Sequence, residues 1–66
     1  MMKVVIEFTV DNSAFTQEDG TYNMDEISRT IINVGRNIDN ITDSPRKIRD
    51  AYGNTVGSYV LKWEYD

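Results

Sequence analysis

Tyr22-Asn23-Met24-Asp25-Glu26-Ile27-Ser28-Arg29-Thr30-Ile31-Ile32-Asn33-Val34-Gly35-Arg36-Asn37-Ile38-Asp39-Asn40-Ile41 is the stretch of this chain that carries a sustained helical period. Ile27, Ile31, Val34, Ile38 and Ile41 recur at alternating steps of four and three, which lines one face of a 3.6-residue repeat. Asn23 stands before them as an N-cap, and Glu26 follows three residues later at capping-box spacing. Tyr22 and Ile27 fall at the two positions of a hydrophobic staple. A helix is therefore expected from about Met24 to about Asn40, stopped by Asp43-Ser44-Pro45, because the residue before a proline is pushed out of the α region. Gly35 lies inside it and costs about 1 kcal/mol against alanine. Close packing on a sheet is the expected reason, with a close approach by a ligand or second backbone as the alternative. Thr30, Asn33 and Asn37 are weak helix formers, so packing rather than propensity must hold the segment.

Before this helix, Lys3-Val4-Val5-Ile6-Glu7-Phe8-Thr9-Val10 alternates strictly. Val4, Ile6, Phe8 and Val10 share one face of a strand, and Lys3, Val5, Glu7 and Thr9 the other. Residues 11–22 form a polar, acidic loop punctuated by Gly20, with Ala14-Phe15-Thr16 as a short extra strand or an anchor within it. After the helix, residues 46–65 read as a hairpin. Asp50-Ala51-Tyr52-Gly53 has Asp and Gly where a type I turn wants them, and Gly53 can take the left-handed conformation of a following bulge. The flanking strands run over Arg46–Asp50 and Asn54–Tyr65. In the second of them Tyr59, Leu61, Trp63 and Tyr65 share a face, opposite Val56, Ser58, Val60, Lys62 and Glu64.

The element order is strand, helix, strand, strand. The last strand is the most apolar and belongs in the centre. The expected fold is α+β: one domain over residues 1–66, with a three-stranded antiparallel sheet of order 2-3-1 and the helix packed on one face. The expected core is Ile6, Phe8, Ile27, Ile31, Val34, Ile38, Ile48, Leu61 and Trp63, assisted by Val4 and Tyr59.

Composition narrows the chemistry. The 66 residues contain neither cysteine nor histidine, so disulfides, thiolate metal sites and the commonest general base are all missing. No P-loop or dinucleotide glycine pattern is present, and the expectation is a protein that is not an enzyme and carries no cofactor. The net charge of −4 argues against direct binding to nucleic acid or to an anionic membrane. No apolar run is long enough to span a bilayer, and a cytoplasmic setting is expected.

Three surfaces are candidates for contact. The first is acidic: Glu7, Asp11, Glu18, Asp19, Asp25 and Glu26 lie between Val4 and Ser28 with no basic residue among them. Solvated loop charges and complements to the helix N-terminus are one account. The other is a negative surface that docks on a basic groove, or imitates nucleic acid. The second is the basic group Arg46, Lys47 and Arg49, with Tyr52 and Arg36 in support. It is either a charged guard on a strand edge or a small nucleic-acid contact. The third is the outer sheet face, where Val5, Val56 and Val60 would give an apolar centre with a charged rim. The first strand, as an edge, would be open to strand addition or dimerisation.

The hairpin run Arg49-Asp50-Ala51-Tyr52-Gly53-Asn54-Thr55-Val56-Gly57, taken with the size, acidity and lack of Cys and His of the whole chain, resembles small accessory proteins of phages and prophages. These include anti-CRISPR and other host-inhibitor proteins. The resemblance implies a stoichiometric inhibitor that occludes a host protein, or a protein–nucleic-acid complex, presenting a basic surface in the cytoplasm of a bacterial host. The alternative is a structural module that forms a homodimer or larger assembly through its sheet, and a third is a weak nucleic-acid binder.

Overall fold

The computed structural model describes residues 1–65. In chain order the elements are β1 (Met2–Phe8), α1 (Met24–Arg36), a single 3-10 turn (Ile38–Asn40), β2 (Arg46–Arg49) and β3 (Thr55–Trp63). The strands form an antiparallel sheet of order β1-β3-β2, the α+β arrangement expected from the sequence. Met2 pairs with Trp63, Val4 with Leu61, Ile6 with Tyr59 and Phe8 with Gly57. On the other side of β3, Arg46 pairs with Tyr59 and Ile48 with Gly57. One face of the sheet therefore carries Met2, Val4, Ile6, Phe8, Tyr59, Leu61, Trp63, Arg46 and Ile48. The opposite face carries Lys3, Val5, Glu7, Lys47, Ser58, Val60 and Lys62.

The helix begins where its cap says it should. The Asn23 side-chain oxygen accepts from the Glu26 backbone N–H at 3.2 Å. The reciprocal half of the capping box is replaced: the Asn23 N–H donates to the Phe15 carbonyl at 2.7 Å, and the Glu26 carboxylate turns to Arg29. The α-helix ends earlier than expected, at Arg36 rather than near Asn40. Asn37 closes it by donating its N–H to the carbonyls of Asn33 (3.2 Å) and Val34 (3.1 Å), and the chain tightens into the 3-10 turn well before Pro45. Gly35 has open space around its missing side chain, so neither sheet packing nor a close approach accounts for it.

The core differs from the expected one in an instructive way. Ala14, Phe15, Val34, Ile48, Val56 and Tyr59 are buried, with Phe8, Val10, Ile27, Ile38 and Ile41 packed around them. Phe15, from the acidic loop, is fully enclosed and meets Phe8 at a ring-centroid distance of 5.9 Å. It belongs to the same buried cluster as Val34 of the helix and Ile48, Val56 and Tyr59 of the sheet. The buried helical stripe accordingly runs through Ile27, Thr30, Val34 and Ile38, while Ile31 is solvent-facing. Thr30 tolerates burial because its hydroxyl donates to the Glu26 carbonyl at 2.9 Å, one turn back. Val4, Ile6 and Trp63, also expected in the core, are exposed, and Leu61 is half-buried. Val56 was expected on the outer face with Val5 and Val60. It is buried instead, because a register shift between Ile48 and Arg49 leaves it as the unpaired bulge residue of β3.

Residues 11–22 are ordered rather than loose. Asn12 accepts from Ala14 and Phe15 and from the Thr16 hydroxyl, and Thr16 and Tyr22 form an isolated bridge in place of a strand at Ala14-Phe15-Thr16. Gln17 N–H donates to the Thr21 carbonyl at 2.7 Å, with Gly20 at φ +86° making the turn between them.

Candidate functional site

Exposed apolar side chains converge at one end of the molecule. A nine-residue β3 spans about 30 Å, whereas the thirteen-residue α1 spans about 20 Å. The helix and Phe15 lie over the end of the sheet that carries Ile48, Val56 and Tyr59. At the other end Met2 (53% exposed), Val4 (51%), Ile6 (45%) and Trp63 (53%) stand half exposed on the helix side of the sheet, around the half-buried Leu61. The strands stay paired to the tip. The Met1 ammonium donates to the Glu64 carbonyl at 2.7 Å, and Glu64 N–H donates to the Met1 carbonyl at 2.9 Å. Tyr65 packs edge-on against Trp63, with centroids 6.0 Å apart. The charges of this arm are on the opposite face, where Lys3 and Glu64 pair at 2.7 Å. Lone exposed apolar residues need no explanation, but a contiguous group on one face marks an interaction surface.

The acidic residues singled out in the sequence are spread over several elements. Glu7 is on the outer face of β1, Asp11 follows β1, Glu18 and Asp19 sit at the turn before Gly20, and Asp25 and Glu26 occupy the first turn of α1. Glu26 is held by Arg29, whose guanidinium donates twice, at 2.6 and 3.1 Å, and this keeps its carboxyl below the usual glutamate value. Asp19 is held by the Thr21 hydroxyl at 2.6 Å and by the Thr21 N–H at 3.0 Å, which lower its carboxyl in the same way. Among the described residues, Asp11, Glu18, Asp19 and Asp25 have no cationic partner. No three acidic side chains among the described residues come together as a metal site would require.

The basic group is divided by the pleat. Arg46 and Lys47 point to opposite faces of β2, and Arg49 donates to the Gly53 carbonyl of the hairpin turn at 3.0 Å. Between α1 and β2 lies an open groove of about 450 Å³. Thr30, Asn33, Asn37 and Asn40 line it from the helix side, and Lys47, Arg49 and Tyr59 from the sheet. The Tyr59 hydroxyl donates to the Asn40 side-chain oxygen at 2.8 Å across it. The weak helix formers noted in the sequence are thus the groove wall. The chain matches no family model, no curated protein and no solved structure. Among the described residues no helix is long and apolar enough to cross a membrane.

The hairpin turn is as the sequence indicated. Gly53 has φ +83°, and its N–H donates to the Asp50 carbonyl at 3.1 Å. Sequence reading missed how much Asp50 does. Its buried carboxylate accepts from the N–H groups of Tyr52 (2.8 Å) and Asn54 (2.9 Å) and from the side-chain amides of Asn12 (2.8 Å) and Asn54 (3.2 Å). It therefore ties the hairpin to the start of the acidic loop. Burial pushes this carboxyl up, but the four donors outweigh burial and hold it below the usual aspartate value. A lowered folded-state value means that the stabilisation is complete above the ordinary value of about 4 and drains away as pH falls below it. Asp50→Asn would turn an amide toward the amides of Asn12 and Asn54, donor against donor. In urea melts the variant is expected to unfold more easily than the native chain at pH 7 and to lose less on going to pH 3. Parallel losses in the two proteins would show that Asp50 does not carry this dependence.

Proposed function

We propose that the protein is a non-enzymatic protein-binding module that acts by stoichiometric occupation of a surface. The observation that carries this is the exposed helix-side face of the β1–β3 arm, where Met2, Val4, Ile6, Leu61 and Trp63 form an apolar field whose register positions among the described residues hold no carboxylate, in a chain of net charge −4. A field of this kind is expensive to leave in water in a domain this small, whose own core is slight. Buried apolar centres ringed by charge are how protein contacts are built. The dye 1-anilinonaphthalene-8-sulfonate is the probe. At high dilution, where self-contacts have dissociated, the native protein is expected to bind it, and Ile6→Asp and Trp63→Asp to lose most of that binding with unchanged far-ultraviolet dichroism. A dark dye with the native protein, or equal brightness in both variants, would overturn the proposal.

A second function, occlusion of a basic host surface by a phage-type inhibitor, is favoured by one specific observation. The internal hydrogen bonds of residues 11–22 fix the turn that carries the exposed Glu18 and Asp19, which have no cationic partner among the described residues. A rigid display loses little entropy on binding, and unpaired carboxylates steer a basic partner. Such an inhibitor would work in the cytoplasm of its host.

A further inference from the structure

We infer that the first occupant of the bare sheet face is a second copy of this chain, seated face to face about a two-fold axis. This rests on the protein-binding proposal above and names its partner. The argument begins from shape. A compact chain of 66 residues has a radius of gyration of about 11 Å, and this one measures 13.3 Å with extents of 43 × 24 × 17 Å. A folded monomer of 7.6 kDa exposes about 4,300 Å². This chain exposes 4968 Å². The surplus of roughly 700 Å² over the whole chain goes with its elongated shape and with the apolar side chains left half exposed on the β1–β3 arm.

Electrostatics then permit self-contact through this face. Two copies, each at −4, repel through most of their surfaces. The helix-side face is where they can meet without opposing carboxylates, since its register positions in β1, β2 and β3 hold no Asp or Glu. A two-fold contact places the same patch on both sides, so an apolar, acid-free patch complements itself. Facing sheets pack about 10 Å apart, which lets Ile6 and Trp63 of each copy interdigitate with the other's. Pairing of the two β1 edges alone would leave Met2, Val4, Ile6 and Trp63 wet, so these exposed side chains select the face and not the edge. Added salt should tighten such a dimer, because it screens the net repulsion and leaves the apolar contact intact.

Sedimentation equilibrium of the untagged chain, from micromolar to submillimolar concentration, tests the inference. The expected result is a reversible species of twice 7.6 kDa, tightened by salt. Ile6→Asp and Trp63→Asp, both at half-exposed positions and checked for an unchanged far-ultraviolet dichroism, should each raise the dissociation constant roughly thirtyfold or more. Ile32→Asp, at an exposed position on the helix, should leave it unchanged. A monomer throughout the range would overturn the dimer, as would a dimer that survives both arm substitutions, one broken by Ile32→Asp, one loosened by salt, or open-ended growth. The dye separates the two proposals. A native monomer that binds it leaves the protein-binding module standing and removes only the second copy, whereas a native monomer that leaves it dark removes both.

Discussion

Phe15→Ala is expected to unfold most of the domain. Phe15 is, among the described residues, the one large side chain with no exposure at all, and it shares its buried cluster with Val34 of the helix, Ile48 of β2, and Val56 and Tyr59 of β3, with Phe8 against it. Truncation of a buried phenylalanine costs about 3–5 kcal/mol. Total stability for a chain of 66 residues is on the order of 3–10 kcal/mol. The loss extends beyond the cavity, because the backbone of Phe15 accepts the Asn23 N–H and so fixes the entry to the helix. Urea titration followed by helical dichroism should find Phe15→Ala largely unfolded at room temperature and Phe15→Leu intermediate, since leucine refills part of the space. Trp63 fluorescence would be a poor substitute, because that side chain is already half in solvent. A Phe15→Ala protein that melts cooperatively within about 1 kcal/mol of the native chain would mean that the acidic loop is not part of the core.

Gly57→Ala is expected to be nearly as damaging, for a different reason. A Cβ at Gly57 would run into the Glu7 carbonyl oxygen and lie 2.5 Å from the Phe8 Cα, both of them backbone atoms of β1. A flexible side chain could move aside, but a paired strand has to separate from its neighbour. Overpacking of this kind costs about 1–3 kcal/mol and occasionally more, and here it acts on the ladder that pairs Phe8 with Gly57, next to Val56 in the core. Gly35 supplies the control. Its missing side chain faces open space in a helix, so Gly35→Ala should stabilise by about 0.5–1 kcal/mol. Opposite signs for the same substitution at the two sites, read as shifts of the urea midpoint, are the expected outcome. Equal signs would mean that the close approach at β1 is relieved without cost.

Local rules were strong guides to the architecture. The Asn23 cap, the isoleucine period, the alternation of β1 and the Asp50–Gly53 turn each carry their own geometry, and together they fix element order and sheet order. What they leave open is how far round the helix is rolled and how far along the sheet it sits. Ile31 and Thr30 are one position apart, and a small rotation exchanges them. The hydroxyl's bond to Glu26 removes the penalty that would otherwise have kept Thr30 outside. Phe15 carried one visible signal, an aromatic residue alone in a polar stretch, but no periodicity says whether such a residue anchors or floats. The bulge that buries Val56 has no signature beyond Gly57. The bare end of the sheet was not legible: Val4, Ile6 and Trp63 read as core, and only the structure shows a strand of nine residues beside a helix of thirteen. That comparison requires the helix limit at Arg36, which Asn37 sets and the isoleucine period does not.

Met1 and Glu64 lie side by side at the far tip of the arm, the Met1 ammonium donating to the Glu64 carbonyl. A short peptide joining them would close the chain into a ring, and new ends could be opened in the exposed Asp43–Ser44 segment without cutting a strand. The same adjacency governs how the protein is best handled. An affinity tag or fluorescent fusion ahead of Met1 emerges next to Trp63, the partner of Met2, where its bulk would hold a second molecule away. Attachment through an engineered cysteine at Asp43 would leave that tip clear.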